Sequence, residues 1–178
     1  MTVSATNLQP DDIVHAPLRA HHLFRREWSA SVRNPPGFSF GRLAGLAVAL
    51  VDGLVQRCAD APGPALPDGS GLMLISPGYE SELGDLIRGS TDPEVLTPTL
   101  FFQSVPNPVG AEAGRRHRLT GPLLMSTSAD ADPAPLRVQL QRWVGELCPG
   151  LVVVHCAAGV DGAVTGGWAC LVTASEEV

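Results

Sequence analysis

The chain has 178 residues, of which 44% are apolar and 17% charged, with a formal net charge of −6. That length suits one domain with a substantial core, and the apolar content excludes wholesale disorder. The acidic balance argues against nucleic acid as the main partner, and the absence of lysine removes Schiff-base chemistry.

The longest apolar stretch, Leu43 to Val55, is cut by Gly45, Asp52 and Gly53 and is too short to cross a bilayer, so no membrane association is expected. Met1 to His22 has neither a basic start nor an apolar core segment, so a cytoplasmic setting is expected. Cys58, Cys148, Cys156 and Cys170 form no C-x-x-C pair, and the histidines show no ligand spacing. Buried reduced thiols are the reading for that pattern, with no metal and no cofactor.

In chain order, residues 1–12 read as a loose polar arm, followed by one domain over 13–178. Ile13 to Pro17 is a weakly signalled short strand, and Asn34 to Gly37 a turn. Ser39 then reads as the N-cap of a helix with Phe40, Leu43, Ala47, Leu50, Val51, Leu54 and Cys58 on one stripe. It stops at Ala61-Pro62-Gly63-Pro64. Leu72 to Ser76 is a continuous apolar run, as in a strand buried on both faces. Glu80 to Arg88 suits one or two helical turns, and Val109 to His117 a short helix with Arg115, Arg116 and Arg118 at its end.

Leu123 to Ser128 reads as a strand. Asp130 and Asp132 precede Pro133, placed at the first position of a helix that buries Leu136, Leu140, Trp143, Val144 and Leu147. Leu151 to Cys156 is the strongest strand signal, and Trp168 to Thr173 forms the last strand. Strands alternating with helices give an α/β class with a mainly parallel sheet.

The segments Thr97-Pro98…Phe101…Ser104…Asn107…Gly110, Gly121-Pro122-Leu123…Ser128, Leu151 to Ala158 and Gly166-Gly167-Trp168 to Val172 occur in the order and spacing of the N-terminal half of β-ketoacyl synthases. The chain resembles that half of the thiolase-like superfamily from about Gly71 to Thr173. The resemblance implies a five-stranded mixed sheet with helices on its faces and the last strand antiparallel. It places Asp130 where the family has its acyl-accepting cysteine, a degenerate nucleophile position. A thiolate is needed at that helix N-terminus, and a carboxylate is a poor substitute; Asp130 also reads as a plain helix cap. The family's two catalytic histidines belong to a C-terminal half with no counterpart here, so the chain by itself is not a functional β-ketoacyl synthase.

What the resemblance implies is a non-catalytic, chain-length-factor-like protein of a polyketide or fatty-acid-like pathway. It would act as a homodimer or as a heterodimer with a catalytic ketosynthase. The family pairs the strand before the nucleophile across a two-fold axis, which assigns the dimer interface to Leu123, Leu124, Met125, Ser126, Thr127 and Ser128. Arg115, Arg116 and Arg118 are candidates for docking an acyl carrier protein. In the full family fold the helix after the nucleophile is enclosed by apolar neighbours. Here it carries Arg137, Gln139, Gln141, Arg142 and Glu146, so one of its faces is expected to be wet or to meet a polar partner.

The rival reading is a small enzyme that reuses the scaffold for cyclisation, dehydration or hydrolysis of an acyl substrate, with Asp130 or His155 as acid/base. His155 and Cys156 are adjacent on a strand and so point to opposite faces, which disfavours a Cys–His dyad.

Overall fold

The computed structural model describes residues 8–39, 41–77, 89, 106–127 and 133–175. Among the described residues, nine elements follow one another: α1 (Pro10–Ile13), β1 (Leu18–Glu27), α2 (Leu43–Asp60), β2 (Gly71–Ser76), α3 (Pro106–Arg116), β3 (Leu123–Thr127), α4 (Ala134–Glu146), β4 (Leu151–Ala158) and β5 (Val164–Ala174). The strands form one sheet in the order β1-β5-β4-β2-β3. β2 pairs in parallel with both β3 and β4, whereas β5 runs antiparallel to both β4 and β1. This is the five-stranded mixed sheet with an antiparallel last strand that the resemblance implies.

The central strands explain themselves. Gly71–Ser76 is buried at every position, and so are residues Leu151 to Cys156 of β4. Each presents apolar side chains to helices on both sides, which is why neither sequence alternates. Leu72, Leu74, Val152 and Val154 face α2 and α3, packed against Leu46, Leu50, Val51 and Leu54, all of them fully buried. Met73, Ile75, Leu151 and Val153 face α1 and α4, packed against Ile13, Leu136, Leu140 and Val144. At about 2 kcal/mol for each fully buried leucine, these two layers hold the sheet between its helices.

Five sequence expectations need correction. Residues 8–12 do not behave as a loose arm: Leu8 and Pro10 are buried, α1 starts at Pro10, and the Leu8 carbonyl accepts a hydrogen bond from Trp168 Nε1 at 2.7 Å. The first strand is Leu18–Glu27, not Ile13 to Pro17; its polar sequence becomes a strand because β5 offers it a ladder from Leu18↔Ala174 to Glu27↔Gly166. Ser39 does not cap α2, whose N-cap position is Arg42 and whose N3 amide is bonded to Asn34 instead. Pro133 occupies the N-cap of α4, and the helix breaks at Val144 and Gly145, which leaves Leu147 56% exposed rather than buried.

The wet face expected of α4 is present: Val138, Gln139, Gln141, Arg142 and Glu146 are exposed. The helical turns expected at Glu80 to Arg88 and the segment Thr97 to Val105 lie outside the described residues. No helix among the described residues is long and apolar enough to cross a membrane.

Candidate functional site

Register brings one residue of each strand into a single row across the sheet. Arg25 of β1 lies opposite Trp168 of β5, Trp168 opposite His155 of β4, His155 opposite Ile75 of β2, and Ile75 opposite Ser126 of β3. Residues paired in this way share a face, here the face covered by α1 and α4. The row crosses the carboxyl ends of the parallel strands, where ligands bind in open α/β sheets.

His155 is the chemical centre of the row. It is 1% exposed, its ring centroid is 5.6 Å from the tilted indole of Trp168, and its Nε2 has no hydrogen-bond partner among the described residues. Burial pushes its pKa down to about 4, because a charged imidazole there would lose its hydration without gaining a counter-ion. The ring is therefore neutral at pH 7, able to donate one hydrogen bond and accept one. Trp168 is fixed by its bond to the Leu8 carbonyl.

A cleft of about 520 Å³ opens at this end of the sheet, lined by Arg25, Arg26, Glu27, His155, Ala157 and Trp168 among others. Arg25 donates to the side-chain oxygen of Gln9 at 2.6 Å, a neutral partner. Alternation along β1 places Arg25 and Glu27 on the face of His155 and Trp168 and Arg26 on the opposite one, so on this face the mouth carries one guanidinium and one carboxylate. Gly166 and Gly167 floor it, and Gly167 is required there: a Cβ would overlap the His155 carbonyl oxygen.

The remaining sequence candidates fall elsewhere. Cys156 points into the opposite layer, among the residues that pack on α2, so it forms no dyad with His155. Asp130, Asp132 and Ser128 lie outside the described residues. Leu123 to Thr127 form the sheet margin, with Leu123 42% exposed. In the basic cluster, Arg115 and Arg116 both bond Glu112, at 2.9 Å and 3.0 Å, and Arg116 also approaches Asp52 of α2 at 3.9 Å. Those two guanidiniums, Arg115 first, hold the Glu112 carboxyl below its usual range. His117 Nε2 lies 2.6 Å from Asp52 Oδ1. Because Arg115 and Arg116 are paired with acids, the cluster is less positive than its sequence suggests; Arg118 makes no ion pair among the described residues. No group of three histidine, cysteine or acidic side chains suited to a metal ion occurs among the described residues.

Sequence reasoning singled out His155 but gave no role to Arg25, which stands in the sequence without interpretable spacing, or to Trp168. Nothing in the spacing of residues 25, 155 and 168 signals that they meet, because the row exists only once β1 and β4 have both paired with β5.

No protein-family model matches the sequence, and neither does any curated protein. Solved structures do match. One is a chain of a ketosynthase (ApeO) in complex with its chain length factor (ApeC) from Xenorhabdus doucetiae. It is 15% identical with a TM-score of 0.53, covering 82% of this chain and 63% of that one. Another is the ishigamide ketosynthase/chain length factor, 20% identical with a TM-score of 0.53, covering 81% of this chain and 47% of that one. The chain thus has the α/β fold of ketosynthase and chain length factor chains, as its sequence leads one to expect. It spans 63% and 47% of the length of those two chains.

Proposed function

We propose that this chain is a non-catalytic, chain-length-factor-like subunit of a polyketide or fatty-acid-like pathway, cytoplasmic in setting, that pairs through β3 with a catalytic ketosynthase. The observation that carries this reading is the contrast between the two margins of the sheet. β1, at one margin, bears Arg19, Arg25, Arg26 and Glu27 and is interrupted by an irregularity between His21 and Phe24. Charge and irregularity are how a strand edge is kept from pairing with another chain. β3, at the other margin, reads Leu-Leu-Met-Ser-Thr, with no charge, no proline and an unbroken register to β2. Its outer N–H and C=O groups are suited to a partner strand. The shared fold supplies the kind of partner, since the similar solved structures are ketosynthase/chain length factor proteins.

The chemistry agrees with a non-catalytic role. Asp130 stands in the nucleophile's place by sequence, and a carboxylate cannot accept an acyl group as a thioester. Acyl carrier protein docking on Arg118, with Arg115 and Arg116 beside it, belongs to the same proposal and should weaken with salt. The test is co-expression with a ketosynthase from the same genome, followed by size-exclusion chromatography with light scattering. A one-to-one complex supports the reading. Separate elution of the two chains overturns the heterodimer, and a lone complex of two identical copies replaces it with a homodimer.

A further inference from the structure

We infer that the ketosynthase-fold partner paired through β3 also packs a helix, its counterpart of α3, into the trough between α3 and the start of β3. The inference rests on that pairing and supplies a second surface which the pairing needs.

Area makes the case for a second surface. β3 has five residues, so its edge is about 17 Å long and, at one sheet thickness of about 10 Å, offers roughly 170 Å². A stable interface takes about 800 Å² from each partner. The strand edge falls well short, and the rest has to come from what flanks it. On one face of the sheet that flank is α3, which packs on both β2 and β3, whereas α2 covers β1, β5 and β4.

Symmetry then fixes where the partner's helix lies. A strand edge that meets its counterpart about a two-fold axis pairs antiparallel, with the axis normal to the sheet, so the two flanking helices share a side. Because α3 straddles β2 and β3, it stands one inter-strand spacing of about 4.8 Å from such an axis. The two helices are then about 10 Å apart, at the upper end of the roughly 8–10 Å that separates packed helices.

The surface that α3 turns toward this position is open and apolar. Gly110, Ala111 and Gly114 line a trough with Leu119, Pro122 and Leu123. Arg115, the single charged residue lining it among those described, is already paired with Glu112. At about 70 Å³ the trough is far below the roughly 300 Å³ at which small-molecule sites begin, and it suits side chains of a packed helix instead. Gly110 lies against the methyl group of Met125, the middle residue of β3 and so the level of the axis in a centred pair. Ala111 beside it is exposed, and Leu123 is exposed as well.

The test is maleimide labelling of Ala111→Cys, read from the mass of this chain. The four native thiols are buried, so fast labelling reports on the introduced one. The reference is the same substitution in a Leu123→Lys background, which the β3 pairing predicts to be monomeric. In complex with the ketosynthase co-expressed from the same genome, labelling should be at least roughly ten-fold slower than in that reference, because a thiolate must be accessible to react. Ala20→Cys, exposed on β1 at the far margin, should react equally in both states. Ala111→Trp should keep its circular dichroism and bind the ketosynthase at least roughly ten-fold more weakly, since the indole holds the helices apart. A complex that Leu123→Lys abolishes, but in which Ala111→Cys labels at the reference rate, overturns the inference and leaves the β3 pairing standing. Undiminished binding by Ala111→Trp overturns it in the same way. Failure of the wild-type chain to form the complex removes the pairing and this contact together. If Ala111→Trp does not fold, the labelling rates still decide the matter.

Discussion

The side chain of Asn34 caps a helix that begins nine residues beyond it. Its Oδ1 accepts the Gly45 N–H at 2.9 Å and its Nδ2 donates to the Gly41 carbonyl at 2.9 Å, so one carboxamide both satisfies the N3 amide of α2 and holds the chain entering it. A Cβ on residue 45 would sit 2.7 Å from Asn34 Oδ1, which ties the glycine to the cap. Asn34→Ala should destabilise the protein by about 1 kcal/mol, the cost of a lost N-cap. Gly45→Ala should destabilise it as well, although alanine is the better helix former. Urea denaturation measures both, and a stabilising Gly45→Ala would show that the cap is not formed.

His155 makes stability depend on pH with a definite sign. Its folded pKa of about 4 lies below the ordinary 6.5, so between those values the unfolded chain binds a proton that the folded one does not. Stability is then complete above pH 6.5 and falls as pH drops toward 4, by up to about 3 kcal/mol. His21, also lowered, first by burial and then by His22 and Arg19, adds to the loss in the same direction. His155→Phe should flatten most of this slope between pH 4 and 6.5. Equal slopes for wild type and variant would place the titration elsewhere.

The parts of the fold legible in the sequence are those whose burial is imposed on both sides. Leu72 to Ser76 and Leu151 to Cys156 announce themselves because a two-faced strand needs apolar residues at successive positions. β1 was not legible: Leu-Arg-Ala-His-His-Leu-Phe-Arg-Arg-Glu is a strand by virtue of its pairing with β5, and its charged side chains suit a margin. The α2 cap was missed for a related reason, since a carboxamide reaching in from Asn34 leaves no local pattern at Ser39 or Arg42. In the basic cluster, Glu112 stands three and four residues before Arg115 and Arg116, a spacing that shows their pairing in advance. The approach of Asp52 could only come from the packing of α2 on α3.

The thiols should be inert in the folded protein. Cys58, Cys148, Cys156 and Cys170 are all buried. Burial, with a smaller effect of the nearby Asp11 charge, pushes the Cys170 pKa up to about 12; burial also raises Cys58 and Cys148. Since the thiolate is the reacting form, Ellman's reagent at pH 8 should label none of them on the minute scale and all four after denaturation. Rapid labelling of Cys170 in the native protein would contradict its placement beneath α1 and α4.

The margin at β3 gives the most direct test of the proposed pairing. Leu123 is 42% exposed, so in a monomer Leu123→Lys lets the ammonium reach water, and the change in folding stability should stay within about 0.5 kcal/mol. Against a partner strand the same lysine faces apolar side chains, or in a symmetric pair its own copy, and either arrangement costs several kcal/mol. Leu123→Lys should therefore keep the wild-type circular dichroism while weakening association at least roughly a hundred-fold. Met125→Pro, which removes a ladder donor, is less clean, because Met125 also packs into the layer of α2 and α3, with its methyl group beside Gly110. Analytical ultracentrifugation at micromolar concentration separates the outcomes. A monomeric wild type, or a folded Leu123→Lys variant with unchanged mass, removes β3 as the interface.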